Sequence, residues 1–468
     1  MSATEKRRAA WTLGIASAAV FMVTLDNLVV TNALPVIRHD LHASLQSLEW
    51  TVNAYTLTFA VLLLTGAALG DRFGRKRLLA IGLSLFTVSS AAAALAPSAT
   101  ALIVARAAQG VGGALVMPLT LTIISAAMPK EKRAAAIGIW GGVAGLAVAL
   151  GPVVGGAIVD GISWHWIFWL NVPIGIVLVP LALRRLDETH GPAMSLDFRG
   201  LALASAGLFG VVWGVVRSQE LGWGSGEVVL TLAAGTIVVA TFLLWELVAD
   251  EPMLPLRLFA DRTFAAANAA TFLMYVGFFG AVFLITQYWQ FAHGYSPLGA
   301  GLRVLPWTVM PIFVGPVAAT LAPRIGERPL LITGLALMAG SIAWLGYVST
   351  PTAAYTSVLP ALAVGGFGIS LFWAPSAGVV LSSVASEEEG IASGANNAIR
   401  ELGGVFGVAI LTTIFSSHGS FASPDAFVDG MRPAFYVGAV LLAAAAAAAV
   451  ALPRTKRPGG ALEPALAA

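Results

Sequence analysis

The sequence predicts an all-α polytopic membrane protein, and three observations carry that prediction. Of 468 residues, 58% are hydrophobic and only 11% are charged, whereas an ordinary soluble domain is roughly a quarter charged. About fourteen apolar runs reach the ~20 residues needed to cross a hydrocarbon core. These runs are too long and too unalternating for barrel strands, and lipid leaves no partner for free backbone groups, so each must be a helix.

The first run, 11–37, follows Lys6, Arg7 and Arg8. It is too long for a cleaved signal peptide and has no small-residue cleavage site at the right distance, so it is read as a retained span. Runs at 48–69 and 78–96 flank the basic residues Arg72, Arg75, Lys76 and Arg77; runs at 101–126 and 134–158 flank Lys130, Lys132 and Arg133; the run at 165–184 ends on Arg184 and Arg185. Two runs follow at 198–217 and 227–248, then six at 264–291, 299–321, 329–348, 354–382, 390–416 and 432–452. With Arg454, Lys456 and Arg457 in the tail, the basic residues concentrate in alternate loops. The positive-inside rule then places both termini in the cytoplasm, which an even number of spans also requires. The expected location is the cytoplasmic membrane of a cell, with Ala and Gly richness pointing to a bacterial source.

One polar connector breaks this rhythm. It holds Arg184, Arg185, Asp187, Glu188, Asp197 and Arg199, and divides the chain after the sixth span. The expected organisation is a six-helix bundle over 1–186, two inserted helices with linkers over 187–260, and a second six-helix bundle with a short tail over 261–468. Halves built from repeats are a transporter signature. Internal similarity is faint: Gly70-Asp71-Arg72-Phe73-Gly74-Arg75 pairs with Pro323-Arg324-Ile325-Gly326-Glu327-Arg328, each after the second helix of a half.

Several functions are excluded. The net charge of +2, with its basic residues in short clusters, argues against nucleic acid as a partner. No cysteine occurs, which removes disulfides, thiol catalysis and thiolate metal sites, and the six histidines show no metal-ligand spacing. No Gly-Lys dipeptide occurs, so there is no phosphate-cradling loop for ATP. Loops are too short to hide a catalytic domain, so the chain is not read as an enzyme, and no cofactor is expected beyond protons as a coupling ion. The non-transport alternative, a membrane receptor, would need a signalling domain or a large ligand-binding loop. The expected partners are a small-molecule substrate and the lipid bilayer, with the chain acting as a monomer.

Candidate site residues are the polar groups inside the apolar runs. Asp26 lies deep in the first run, where a lone carboxylate costs several kcal/mol unless paired, hydrated or protonated. A carboxylate that switches between charged and neutral forms is the simplest device for coupling a proton to other movement. Arg106, in the fourth run, is its natural partner. Asp26 stands nine residues before Pro35, roughly 13 Å, and Arg106 lies roughly 8 to 9 Å below the outer start of its span, so both fall in the outer half. The alternative for Asp26 is a static group fixing helix packing with Asn27, Thr31 and Asn32; for Arg106 it is a structural ion pair.

A second cluster, Asn396, Asn397, Arg400 and Glu401, lies in the thirteenth run. Glu401 is either a second titrating site or the neighbour that neutralises Arg400. Arg303 is expected to snorkel to the interface, and Glu246 and Arg217 to be interfacial. Aromatic and amide residues, Tyr55, Trp140, Tyr275, Phe279, Gln287, Gln290, Trp307 and Trp373, with Asn27, are candidates to line a cavity for amphipathic cations or neutral drugs. The competing reading of each is a membrane-facing or interfacial position. In the fifth run, Gly145 precedes Gly151-Pro152-Val153-Val154-Gly155-Gly156. Small residues there let helix backbones approach and Pro152 weakens the hydrogen-bond ladder; ordinary close packing explains each glycine alone, and dimerisation is a further alternative.

The order of residues in Gly70-Asp71-Arg72-Phe73-Gly74-Arg75-Lys76-Arg77 resembles the loop that the major facilitator superfamily carries between its second and third helices. Leu25-Asp26 followed by Val30-Thr31-Asn32-Ala33-Leu34-Pro35 resembles the first helix of that superfamily's fourteen-span drug:proton antiporters, and Asp197-Phe198-Arg199-Gly200 the start of their seventh span. Arg106-Ala107-Ala108-Gln109-Gly110-Val111-Gly112-Gly113 resembles the fourth-span motif, and the Gly151 to Gly156 block the fifth-span motif of antiporters. Gly294-Tyr295-Ser296-Pro297-Leu298 and Gly394-Ala395-Asn396-Asn397 fit the same family, so the resemblance runs the whole chain. It departs at Asp26-Asn27-Leu28, where a Thr is common two places after the Asp.

The resemblance implies a major facilitator fold with two additional central helices. It implies conformational switching through Asp71, Gly74, Arg75 and the block Gly151, Pro152, Gly155 and Gly156, and a link between Arg106 and proton transfer. The implied function is export of drugs or other amphipathic molecules in exchange for protons. The alternatives within transport are an exporter of one metabolite, antibiotic or lipid, a uniporter, or a proton symporter.

Overall fold

The computed structural model describes residues 3–191, 197–249, 252, 254–385 and 388–453. The basic tail at Arg454, Lys456 and Arg457 lies outside the described residues. Among the described residues every regular element is helical, as the backbone's need for internal hydrogen bonds in lipid requires. Among the described residues twelve helices are long and apolar enough to cross a membrane, or up to 14 if each of two bent pairs is counted as one span.

The first five spans are α1 (Ala3–Asp40), α2 (Leu45–Phe73), α3 (Arg75–Ala94), α4 (Ala99–Ala127) and α5 (Lys130–Gly161). The sixth is broken at Leu170 into α6 (Trp166–Trp169) and α7 (Asn171–Arg185). The hairpin α8 (Phe198–Leu221) and α9 (Gly226–Val248) follows, and then α10 (Arg262–Gln287), which runs on through a π-turn to Ala292. The run expected at 299–321 is two helices, α11 (Pro297–Thr308) and α12 (Met310–Ile325), because Pro306 and Pro311 bracket the joint and withhold donors there. The last four are α13 (Glu327–Val348), α14 (Tyr355–Ser382), α15 (Glu389–His418) and α16 (Pro424–Val450).

Helix starts follow side-chain chemistry. Ser44, Ser98, Asp197, Ser225, Asp261, Ser296 and Ser423 each accept a hydrogen bond from a backbone N–H of the following first turn, satisfying donors that would otherwise be orphaned. The bend of 42° in α5 falls between Val148 and Leu150. Pro152 causes it, since its ring crowds the carbonyl four residues earlier.

Helices α1 to α7 pack into one group and α10 to α16 into another. The α8–α9 hairpin leans through α8 on α2 and α15, one from each group. Between the groups, α5 packs along α11 and α2 along α15. The faint internal repeat is structural: Gly74 between α2 and α3 has φ 104, and Gly326 between α12 and α13 has φ 91. Both are left-handed breaks that a side chain would strain.

One expectation is corrected. Glu246 is buried (3% exposed), not interfacial, because the connector folds over it and the Leu254 N–H donates to its Oε2 at 2.8 Å. Arg303, expected to snorkel, directs its guanidinium back toward the start of α11, 3.3 Å from the Tyr295 ring centroid, and donates to the Gly299 carbonyl at 3.0 Å. Arg217, expected at an interface, pairs with Glu227 across the α8–α9 turn at 3.1 Å.

Candidate functional site

Asp26 and Arg106 meet, inside the first bundle and out of reach of solvent. Arg106 Nη1 lies 2.5 Å from Asp26 Oδ2, and neither side chain has any exposed surface. The other carboxylate oxygen accepts from Asn171 Nδ2 at 2.6 Å and Gln109 Nε2 at 3.2 Å. Both amides also donate to Ser90 Oγ, at 3.3 and 2.7 Å. Arg106 donates from Nε to the Thr51 carbonyl at 3.2 Å and from Nη1 to Gln109 Oε1 at 3.0 Å, and its guanidinium lies 4.2 Å from the Tyr55 ring centroid. Its Nη2 has no partner among the described residues. Five helices, α1, α2, α3, α4 and α7, thus converge on one charge pair, which only such a set of donors can hold in a low dielectric.

The residues weighed as static partners of Asp26 lie elsewhere. Thr31 donates to its own Leu28 carbonyl at 2.7 Å, and Asn32 donates to the Pro152 carbonyl. Asn27 is half-buried. Ser90 and Asn171, two partners that the structure supplies, escaped sequence reasoning. Asn171 had a usable signal, being an amide within an apolar run, the same anomaly that marked Asp26.

Near the end of α5 the glycine block is a seam between bundles. A Cβ on Gly151 would sit 2.6 Å from Leu28 Cβ and one on Gly155 2.8 Å from the Val29 carbonyl, so these two press α5 onto α1. One on Gly156 would meet Leu298 Cα, so Gly156 presses α5 onto α11. Asp160 Oδ2 accepts from the Leu298 N–H at 3.1 Å, closing the same end. Toward the end that carries the basic loops the seam opens: a Cβ on Gly141, Gly142 or Gly145 meets nothing within 4 Å.

The basic loop is docked on the connector after the sixth span. Asp71 Oδ1 holds Arg75 Nε at 2.7 Å across the Gly74 break. The Arg75 N–H donates to the Thr189 carbonyl at 2.9 Å, the Lys76 N–H to Glu188 Oε1 at 2.9 Å, and the Gly191 N–H to the Asp71 carbonyl at 3.0 Å. Asp197 at the far side of this connector accepts the Trp245 indole N–H at 2.8 Å, with Arg199 stacked on the same indole. That geometry gives the Asp197 to Gly200 block a physical role in tying α8 to α9.

The second cluster is less enclosed. Arg400 Nη2 lies 3.1 Å from Glu401 Oε1, with 24% and 16% of the two side chains exposed. Asn396 donates to Asn268 Oδ1 at 2.9 Å, Asn397 is half-buried, and Tyr275, beneath Arg400, stacks on Phe279. Tyr55 is buried beneath Arg106, and the Trp140 indole donates to Thr120 Oγ1 at 3.2 Å. Gln287 and Gln290 instead face a cavity of about 500 Å³ at the far end, between α1 and α10. No group of His, Asp and Glu among the described residues could hold a metal ion.

A buried first-bundle charge pair, a glycine seam between two helix bundles and a loop latched across a positive-φ glycine define a membrane transporter built from two bundles. The sequence profile of the Major Facilitator Superfamily matches residues 16–254 and 267–467, and the chain belongs to that superfamily. It is 34% identical over 424 residues to the tetracenomycin C resistance and export protein of Streptomyces glaucescens, covering 90% of this chain and 79% of that one. It is 36% identical over 466 residues to the cephamycin export protein CmcT of Amycolatopsis lactamdurans, covering 97% and 95%. Among solved structures, a D-xylose–proton symporter shares the fold at a TM-score of 0.67 and 16% identity, covering 95% of this chain and 98% of that chain.

Proposed function

We propose that this protein exports drugs or other amphipathic small molecules across the cytoplasmic membrane in exchange for protons, acting as a monomer with both termini in the cytoplasm. Relatives that share a third of its sequence over most of their length are antibiotic export proteins, and the buried Asp26–Arg106 pair is the observation that carries the proton half of the reading. With the basic end in the cytoplasm, the seam at Gly156 closes the outer side and the bundles part toward the inside. The ion pair then belongs to the deprotonated, inward-open state, ready to take substrate.

The cycle follows from the donors around Asp26. Substrate enters between the bundles near Arg400 and Glu401, the α5–α11 seam parts, and the outer side opens. A proton from outside then adds to the Asp26 carboxylate. The neutral acid no longer holds Arg106, which keeps the Thr51 carbonyl, Gln109 Oε1 and the Tyr55 ring. Substrate leaves outward, the seam closes, and the proton departs inward as the pair re-forms. Asp71, Gly74 and Arg75 act as the latch that accompanies each switch. Glu401 neutralises Arg400 locally.

The test is proton movement in proteoliposomes with a pH-sensitive dye trapped inside. An accepted substrate drives proton flux opposite to its own movement, and Asp26→Asn abolishes that flux. Substrate transport against a gradient with no proton movement, or unchanged in Asp26→Asn, refutes the reading.

A further inference from the structure

The cavity of about 500 Å³ at the far end is bounded by both bundles and lies within the size range of small-molecule sites. Its rim carries Arg38 and His39 from the end of α1, and among the described residues no Asp or Glu lines it. Asp40, the next residue along, is engaged elsewhere, accepting the Trp164 indole N–H at 2.7 Å. A second guanidinium, that of Arg303, stacks 3.3 Å from the centroid of Tyr295, which is itself part of the lining. Phe421 supplies a further aromatic wall, with the Arg38 guanidinium 5.9 Å from its ring centroid.

The amides of the lining add an observation independent of that charge. Gln287 is only 6% exposed and lines the cavity. Gln290 Nε2, one helical turn on, is buried and has no partner among the described residues. A buried amide N–H left unpaired costs stability, and a molecule in this cavity would satisfy it.

We propose that this cavity is a binding site for planar aromatic anions, such as an aromatic carboxylate. The rings lie against Tyr295 and Phe421, the charge faces Arg38, and the Gln287 and Gln290 amides bond the polar edge. As a subsite that receives exported substrate on the outer side, it rests on the exporter reading above. It selects against amphipathic cations, which meet Arg38 and find no carboxylate among the described lining residues.

The experiment is calorimetric titration of the purified full-length protein with 9-anthracenecarboxylate and with its cationic analogue 9-(aminomethyl)anthracene at pH 7. The carboxylate is expected to bind at least about tenfold more tightly, the increment of one charge-assisted hydrogen bond. Arg38→Gln removes that preference, Arg38→Lys keeps most of it, and Gln287→Leu weakens both ligands a few-fold. Arg38 is exposed, so these variants are expected to fold. Equal affinity for the two ligands, tighter binding of the amine, or an Arg38→Gln variant with unchanged preference overturns the proposal. Binding needs no proton gradient, so the two readings fail separately. Proton-coupled transport with no anion preference sinks this site alone; anion preference with no coupled transport sinks the exporter reading and the site's transport role.

Discussion

Replacing Asp26 by Asn changes one oxygen to an amide and leaves the shape almost untouched, so its effects report on charge. In the native bundle Arg106 is balanced at 2.5 Å by a carboxylate with no exposure. Without that charge, Arg106 keeps only neutral partners: the Thr51 carbonyl, Gln109 Oε1 and the Tyr55 ring. Stranding one member of a buried pair costs about 3 to 5 kcal/mol. The new amide also turns donors toward Gln109 and Asn171, which themselves donate at that position. For a bundle of this size, about 3 kcal/mol lowers Tm by roughly 6 to 12 °C. The double variant Asp26→Asn/Arg106→Gln exchanges an ion pair for a neutral one, and should recover most of that loss, because neutral replacements of buried pairs are often tolerated. It should not recover uphill transport, since on the proposed cycle Asp26 is the group that takes up the proton. The assay is thermal unfolding in detergent by tryptophan fluorescence, paired with dye-reported proton flux in proteoliposomes. A single variant as stable as the native protein, or a double variant that pumps against a gradient, would refute the reasoning.

Three further outcomes follow from the geometry. Gly74→Ala places a Cβ 2.7 Å from the Glu188 carboxylate at φ 104, costing about 1 to 2 kcal/mol of backbone strain; accelerated hydrogen exchange across 74–78 and slowed efflux should register it, and native exchange would argue against a docked loop. Gly156→Leu drives a side chain into the α11 backbone at Leu298 and should hold the far end open. Because the native chain has no cysteine, a single cysteine introduced at Gln290 reports this as maleimide labelling about tenfold faster from outside, and unchanged labelling denies that the seam is a gate. His293, outside the membrane spans, has its proton affinity pushed below the ordinary 6.5 chiefly by burial, with the Arg303 charge adding to this and the hydrogen bond to the Thr350 carbonyl opposing it. A depressed folded value means the neutral ring's contribution is intact above pH 6.5 and is lost as pH falls through the folded value. Tm should therefore drop on acidification from pH 6.5, and His293→Gln should flatten that drop; an identical pH profile in the variant would exclude His293 as its source.

Some of this molecule is written in local chemistry. Helix number and limits follow from apolar length, from the serines and aspartates that accept first-turn N–H groups, and from prolines that break or bend, as Pro152 does in α5. The Gly74 and Gly326 breaks are legible too, because only glycine takes that backbone cheaply. Asp26 and Arg106 stood out because a charge in lipid must be answered. What answers them is tertiary. Asn171 lies 145 residues from Asp26 and Ser90 lies 81 from Asn171, and no periodicity joins residues so distant along the chain. The same limit hid the burial of Glu246 and the stacking of Arg303 on Tyr295. A sequence fixes which groups are too polar for lipid, since that cost belongs to each residue alone; only the packed bundle decides which partners meet it, because distances between helices are set by every side chain between them.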